Sequence, residues 1–324
     1  MKSNLNRLFL AALGALAAHA PLAHAEDAGA YPARAITMII SYSPGAAMDM
    51  TGRMIANEME GLLGKPIAVV NRPGASGVIG TRMLVRAQRD GYTLSFAPTT
   101  PLTSEPLRVE NIGYGLEDVT AICKTSETYY LVVVPAASPY KTLGDLIAKA
   151  RTADEVVSAG SAGHASVNHL AAADLGGAAQ VTFNHVAYGG DAAMLADLLG
   201  GRLDFGVAAV SSVNAHVDSG GVRILASLTE QRVLPAYPTA KELGFDTASA
   251  SFQGIIAPKG IPKGVKDKLE LACREALASP RVQDWAKSVN QVLVYGDGDE
   301  FRNQLEADMR DKERILQRIG LLAR

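Results

Sequence analysis

Two short runs of glycine, alanine and serine hold the residues best placed to do chemistry in this chain of 324 residues. They are Ser43-Pro44-Gly45-Ala46-Ala47-Met48-Asp49 and Ser158-Ala159-Gly160-Ser161-Ala162-Gly163-His164-Ala165-Ser166. Each follows a β-like run (Ile36–Tyr42; Val156–Val157) and opens a helix-like stretch (Met50–Leu63; Val167–Asp174). A strand that feeds a small-residue loop and then a helix aims unpaired N–H groups and the positive end of the helix dipole at whatever lies in front. Two such loops in similar halves predict a cleft that grips an anion from both sides. Tyr42, Ser43, Ala46, Ala47 and Met48 form the first set of candidate contacts, and Ser161, Ala162, Gly163, His164 and Ser166 the second. Met50, Met54 and Met59 follow helical spacing and read as core, whereas Met48 precedes that stripe and reads as pocket.

The polar side chains around the loops admit two readings each. Asp49 either complements the helix dipole and caps N–H groups or meets a ligand amino or hydroxyl group. His164 belongs to the cleft or to an exposed loop, and His169 to a structural hydrogen bond on the helix. Thr99 and Thr100 follow the strand Tyr92–Ala97, where they donate hydroxyls into the cleft or cap a turn. Asn71-Arg72-Pro73-Gly74-Ala75-Ser76-Gly77 lacks the lysine and spacing of a phosphate loop. It reads as a tight connection at the cleft rim, with Ser76 toward the ligand. A hydrolase would need Ser161 or Ser166 with His164 or His169 and an aspartate, yet no G-x-S-x-G elbow is present. H-E-x-x-H, C-x-x-C and clustered metal-ligand spacings are likewise missing from the sequence. Binding without catalysis, cofactor or metal is therefore the expectation.

What must position these residues is a β/α alternation. Strand-like runs at Ile36–Ser41, Ile67–Val70, Tyr92–Ala97, Val119–Cys123 and Tyr129–Val134 are interleaved with helical ones at Met50–Leu63 and Ile79–Arg89. Tyr129–Val134 is continuously apolar, as a strand covered on both faces should be. A second cycle follows: helix Leu143–Arg151, a strand near Val156, helix Val167–Leu175, strand Val181–His185, helix Ala192–Leu199, and strands Leu203–Ala208 and Ile224–Leu228. The fold class is α/β, with a mainly parallel sheet in each half and helices on both faces. Ligands of such sheets sit at the carboxyl ends of strands, where both loops fall. Val265–Arg324 reads as mostly helical, and its charged run Glu306 to Arg318 as a solvated face.

The first residues have the grammar of an export signal: Lys2 and Arg7, the apolar Leu8–Ala18, then Ala23-His24-Ala25 before Glu26. Residues 1–25 are expected to be removed and the mature chain to be periplasmic. Roughly 300 residues remain, enough for two cores. With 31 basic and 33 acidic residues and no basic block, nucleic acid is not an expected partner. Cys123 and Cys273 are expected as two buried free thiols, although an oxidising compartment permits a bridge between them.

Several motifs occur in an order that resembles one family. They run Tyr31-Pro32-x-Arg34-x-Ile36-Thr37, Pro44-Gly45-x-Ala47-x-Asp49, Val69-Val70-Asn71-Arg72-Pro73-Gly74-Ala75-x-Gly77 and Asp90-Gly91-Tyr92-Thr93-Leu94. Downstream come Ser161-Ala162-Gly163, His169-Leu170-Ala171, His185-Val186-x-Tyr188-x-Gly190, Asp197-Leu198-Leu199-Gly200-Gly201 and Gly254-x-x-Ala257-Pro258. Taken together they resemble the Bug/TctC periplasmic substrate-binding proteins of tripartite tricarboxylate transporters. The resemblance implies a two-domain Venus-flytrap fold, type II-like, with residues 31–128 plus 254–324 in one domain and 129–253 in the other. It implies a small carboxylate ligand, membrane permease subunits as partners, a monomer, and no catalysis. A ligand sensor that signals rather than transports is the related alternative. It also adds Tyr188, Gly189, Asp191 and Phe252 to the candidate contacts. Ser41-Tyr42-Ser43 departs from the family's Pro-Phe-Pro, Ala46 from its second glycine, Gly189 from a frequent cation and Phe252 from a frequent tryptophan. Losing that cation and gaining Met48 favours an aromatic carboxylate over citrate, with a dicarboxylate also in range.

Overall fold

The computed structural model describes residues 31–152 and 156–323; the expected signal segment and its cleavage site lie outside them. The strands are β1 (Ile36–Ile40), β2 (Ile67–Asn71), β3 (Thr93–Pro98), β4 (Val119–Pro135), β5 (Ser158–Ser161), β6 (Asn184–Ala187), β7 (Phe205–Ala209), β8 (Val222–Ser227), β9 (Ala250–Pro258) and β10 (Val292–Gly296). Between β1 and β4 lie α1 (Ala47–Leu63), α2 (Val78–Val85), α3 (Thr100–Thr103) and α4 (Glu105–Arg108). Between β4 and β8 lie α5 (Leu143–Ala150), α6 (Val167–Ala179), α7 (Asp191–Leu199) and α8 (Val210–Asp218). After β9 come α9 (Lys263–Ala278), α10 (Pro280–Ser288) and α11 (Gly298–Arg318). None of the described helices is long and apolar enough to cross a membrane.

The strand order is β2-β1-β3-β9-β4-β7-β5-β6, with β8 and β10 also paired to β4. Parallel pairing holds at β2-β1-β3 and β6-β5-β7, as the β/α alternation requires. The strands that carry the chain between the halves, β4 and β9, pair antiparallel, so each sheet is mixed. The 17-residue β4 is the common member. Its first part pairs with β9 and β10 and its last part with β7 and β8, with register shifts near Ala121/Cys123 and Lys124/Ser126. Bulges of this kind bend a strand and let it serve two sheets.

Each half buries both faces of its sheet. In the first, Met38, Ile40, Leu94 and Phe96 pack on α1 and α9, while Ile39, Ala97 and Ile256 face Leu84, Phe301 and Leu305. In the second, Val132 and Val134 point to one cluster and Leu131 and Val133 to the other, all nearly inaccessible. That is the two-sided burial expected of the Tyr129–Val134 run. α11 begins against the first sheet, and its end places Ile315 and Leu316 on Leu170 of α6 in the second half. The solvated face expected for its charged run is only partly so. Lys312 is 3% exposed, lies 3.5 Å from Asp308, and Asp308 accepts a 2.6 Å hydrogen bond from Thr103.

The expectation of two free thiols is corrected. Cys123 and Cys273 form a disulfide across 150 residues, with Cα atoms 6.6 Å apart. Both belong to the cluster between the first sheet and α9, which spacing along the chain could not reveal. The bridge joins β4 to α9 in the first half and encloses the whole second half between its ends.

Candidate functional site

Gly45, in the left-handed region at φ 82°, turns the chain from the end of β1 into α1. Asp49 holds this turn. Its carboxylate accepts from Gly45 N at 2.8 Å, from Asn71 Nδ2 at 2.7 Å, and from Arg53 Nε at 2.9 and 3.0 Å. Asn71 in turn donates to Tyr42 O and accepts from Arg53 Nη2, so the loops after β1 and β2 are tied together. Burial pushes the Asp49 carboxyl up, but the bonds from Arg53, Asn71 and Gly45 outweigh it and hold it below the usual carboxylate range.

The second loop begins later than the sequence suggested, because Ser158–Ser161 are the strand β5 itself. Gly163 (φ 147°) and Ala165 (φ 55°) shape the remainder before Ser166 caps α6 by accepting from His169 N. Several amides expected to face an anion are engaged inside the loops. Gly45 N serves Asp49, Ala46 N serves Ser43 O, Gly163 N serves Ser161 Oγ, Ala165 N serves His169 Nδ1 and Ser166 N serves Gly163 O. Donors left over among the described residues include those at the first turns of the helices, at Ala47 and Met48 of α1 and Val167 and Asn168 of α6, which have no carbonyl one turn behind them.

Between the halves lies a cavity of about 500 Å³. The first half contributes Tyr42, Met48, Ser76, Pro98, Thr100, Glu105 and Arg108; the second contributes 162–168; the crossing strands β4 and β9 contribute Thr128, Tyr130, Ser251 and Gln253. Of the candidates, Tyr42, Met48, Ser76, Ala162, Gly163, His164 and Ser166 line it. The others stand behind or beside it. Ser43, Ala46 and Asp49 build the first turn, and Ala47 lines a neighbouring space with Thr128. Thr99 is buried at the start of α3, with its N–H on Phe252 O, so that Thr100 is the hydroxyl facing the cavity. Tyr188 donates to Asp197 at 3.0 Å, and neighbouring Gly189 has open space where a side chain would begin. Asp191 accepts from Asn168 Nδ2 at 2.8 Å and from Ala209 N at 3.1 Å, which positions Asn168 at the wall. Phe252 is buried edge-on to Phe301, because strand alternation sends Ser251 and Gln253, not Phe252, toward the cavity.

Sequence reasoning missed Glu105 and Arg108, the first and last residues of a four-residue helix that contains Pro106. Arg108 donates to Glu105 at 2.7 Å, with side-chain exposures of 24% and 8%. This is the guanidinium in the wall, and only part of its donor fork is used by Glu105. Burial raises the Tyr42 phenol, and burial followed by the Asp191 charge raises that of Tyr130; both remain hydroxyl donors at neutral pH.

Behind the second loop three histidines meet, although no metal-ligand spacing announces them. The rings of His169 and His185 are stacked at 3.5 Å and 7°, with His164 at 5.3 and 6.1 Å. Burial first, then the neighbouring imidazoles and Arg108, push His169 down to about 4. His185 is lowered by burial and by His164. The Ser–His contact that forms is Ser161 Oγ to His185 Nε2 at 2.6 Å, not one of the pairings considered from sequence. Ser161 is fully buried and its hydroxyl also serves Gly163 O, so no substrate carbonyl could reach it.

The profile described as "Tripartite tricarboxylate transporter family receptor" (TctC) matches residues 51–321. Protein BugT of Bordetella pertussis is 31% identical over 324 residues, covering 98% of this chain and 98% of BugT. A UPF0065 protein from the gbd 5' region of Cupriavidus necator is 30% identical over 322 residues, 97% of this chain and 98% of its own length. Among solved structures, a ligand-free TctC solute-binding protein from Polaromonas superposes with a TM-score of 0.82 at 27% identity, covering 89% of this chain and 99% of that one. The periplasmic binding protein BugD superposes with a TM-score of 0.70 at 26% identity, covering 91% and 100%.

Proposed function

The chain belongs to the tripartite tricarboxylate transporter receptor family of solute-binding proteins, and from that premise we propose that it captures a small polar carboxylate in the cleft and hands it to a membrane permease. The carrying observation is the cavity's composition: helix-start amides from both halves, nine hydroxyl or amide side chains, and Arg108. One carboxylate of the ligand sits against the first turns of α1 and α6. Arg108, on the wall contributed by the first half, receives a second carboxylate or a hydroxyl. This shifts the preference from an aromatic monocarboxylate, which Met48, Tyr42 and Tyr130 would suit, toward a dicarboxylate. Residues 31–128 with 254–324 form one closing body and 129–253 the other, swinging about the crossing segments of β4 and β9. Closure draws on contacts to both bodies, since a ligand held by one alone favours neither state. The mature protein acts in the periplasm, as a monomer.

The test is a thermal-shift panel of succinate, malate, citrate, glutamate, benzoate, nicotinate and glucose. A ligand at one hundred times its Kd adds about 2.7 kcal/mol of stability. Stabilisation by dicarboxylates, lost selectively in Arg108→Ala, is the expected result. Stabilisation by glucose alone, or reproducible turnover of esters, overturns the reading.

A further inference from the structure

The three histidines come from three elements: His164 from the loop after β5, His169 from the first turn of α6 and His185 from β6. One ring nitrogen from each lies within 4.8 Å of the others. They stand between two spaces, with His164 lining the cleft cavity and His169 and His185 lining another of about 330 Å³ behind it. We propose that His164, His169 and His185 form a binding site for a divalent transition metal, of the zinc, nickel or cobalt class. The proposal rests on this cluster and not on the carboxylate reading.

Metal–imidazole bonds of about 2.0–2.1 Å demand nitrogens closer together than the apo cluster holds them. His164 is exposed and follows Gly163, so it is the ring free to move in. His185 already has the outer partner that metal-bound imidazoles use. Its Nε2 is 2.6 Å from Ser161 Oγ, and Ser161 donates its own hydrogen to Gly163 O. An N–H donated to Ser161 leaves Nδ1 of His185 with its lone pair available. His169 offers the ion a ring lone pair as well. That lone pair, on Nδ1, now accepts from Ala165 N at 2.9 Å. Metal binding replaces this contact and tilts the stacked rings apart, which moves the loop walling the cleft. Ala165 sits in the left-handed region, where a residue with a side chain is strained, so releasing it offsets part of that cost. An all-imidazole donor set selects against magnesium and calcium, which take oxygen ligands. Arg108, the nearby cation, is ion-paired with Glu105.

The experiment titrates full-length, tag-free, metal-stripped protein with Zn²⁺, Ni²⁺ and Co²⁺ by calorimetry, and follows Co²⁺ by visible absorption. One ion per chain is expected, with a cobalt d–d spectrum and no response to Mg²⁺ or Ca²⁺. His164→Ala, an exposed change that leaves the buried rings packed, should weaken binding at least about 100-fold, and Ser161→Ala, an outer-shell change, about 10-fold. His216→Ala, on α8 outside the cluster, should leave it unchanged. Absence of stoichiometric binding, or equal affinity in His164→Ala, overturns the site. The thermal-shift panel is run without metal, so loss of this site and loss of carboxylate binding are told apart.

Discussion

Asp49→Ala removes an acceptor shared by three parts of the chain, and its cost divides unequally between stability and affinity. Arg53 is 43% exposed and keeps its 2.7 Å bond to Asn71 Oδ1, so its share is that of a half-exposed ion pair, less than about 1 kcal/mol. Asn71 Nδ2 retains Tyr42 O, and Gly45 N lies where water can reach it. Each therefore forfeits about 0.5–1 kcal/mol instead of a full burial penalty. The stability loss should total about 2 kcal/mol. The larger effect falls on the turn, which loses the bond fixing Gly45 and must be ordered by the ligand itself. Ordering one or two residues at about 1.4 kcal/mol each corresponds to a 10- to 100-fold weaker Kd. Urea denaturation and calorimetry with the most stabilising acid of the panel measure the two terms. Equal Kd values for wild type and Asp49→Ala, at a stability loss of about 2 kcal/mol, would refute the claim that Asp49 preorganises the turn.

Gly163→Val places a branched side chain at φ 147°, with its Cβ about 3.5 Å from Tyr188 O; binding of the best acid should fall at least about tenfold while the melting point moves modestly, and an unchanged Kd counts against the second loop. Replacing both cysteines by serine opens a loop of 150 residues, worth about 5 kcal/mol in the chain-entropy limit. The melting point should then drop by roughly 10 °C or more, and a drop below about 2 °C would contradict the bridge. Glu127 is pushed up by burial but held lower overall by Lys124, Tyr129 and Gln304, and Asp49 is likewise depressed. Their folded values lie below their unfolded ones, so their contribution is complete above the ordinary carboxylate range near pH 4 and is lost as pH falls through the folded values. Urea midpoints should decline below about pH 4, less steeply in Glu127→Gln, and identical slopes would exclude that carboxylate.

Where side-chain periodicity decides an element, the sequence was readable. Ile36–Ile40, Ala47–Leu63 and Leu143–Ala150 lie within a few residues of expectation, and the apolar run from Tyr129 is buried on both faces. The polar stretch between Cys123 and Tyr129 hid the fact that two expected strands are one, because bulges, not alternation, carry β4 from sheet to sheet. Short elements were unreadable for a different reason. Thr100–Thr103 and Glu105–Arg108 are single turns with proline near their starts, too short to show a period, and they bring Thr100 and Arg108 to the cavity. At β9 a shift of one residue separates the inward Phe252 from the cavity-facing Ser251 and Gln253, and only pairing with β4 sets that register. The meeting of Cys123 with Cys273, and of His185 with His169, depends on tertiary packing that no spacing encodes.

The bond between Cys123 and Cys273 makes a covalent ring whose perimeter contains the entire second half of the molecule. A protease that nicks any exposed loop within that ring cannot release a fragment, and the cut chain should migrate as one species until a reductant is added. A single cut in the second half thus leaves its two pieces tethered to each other.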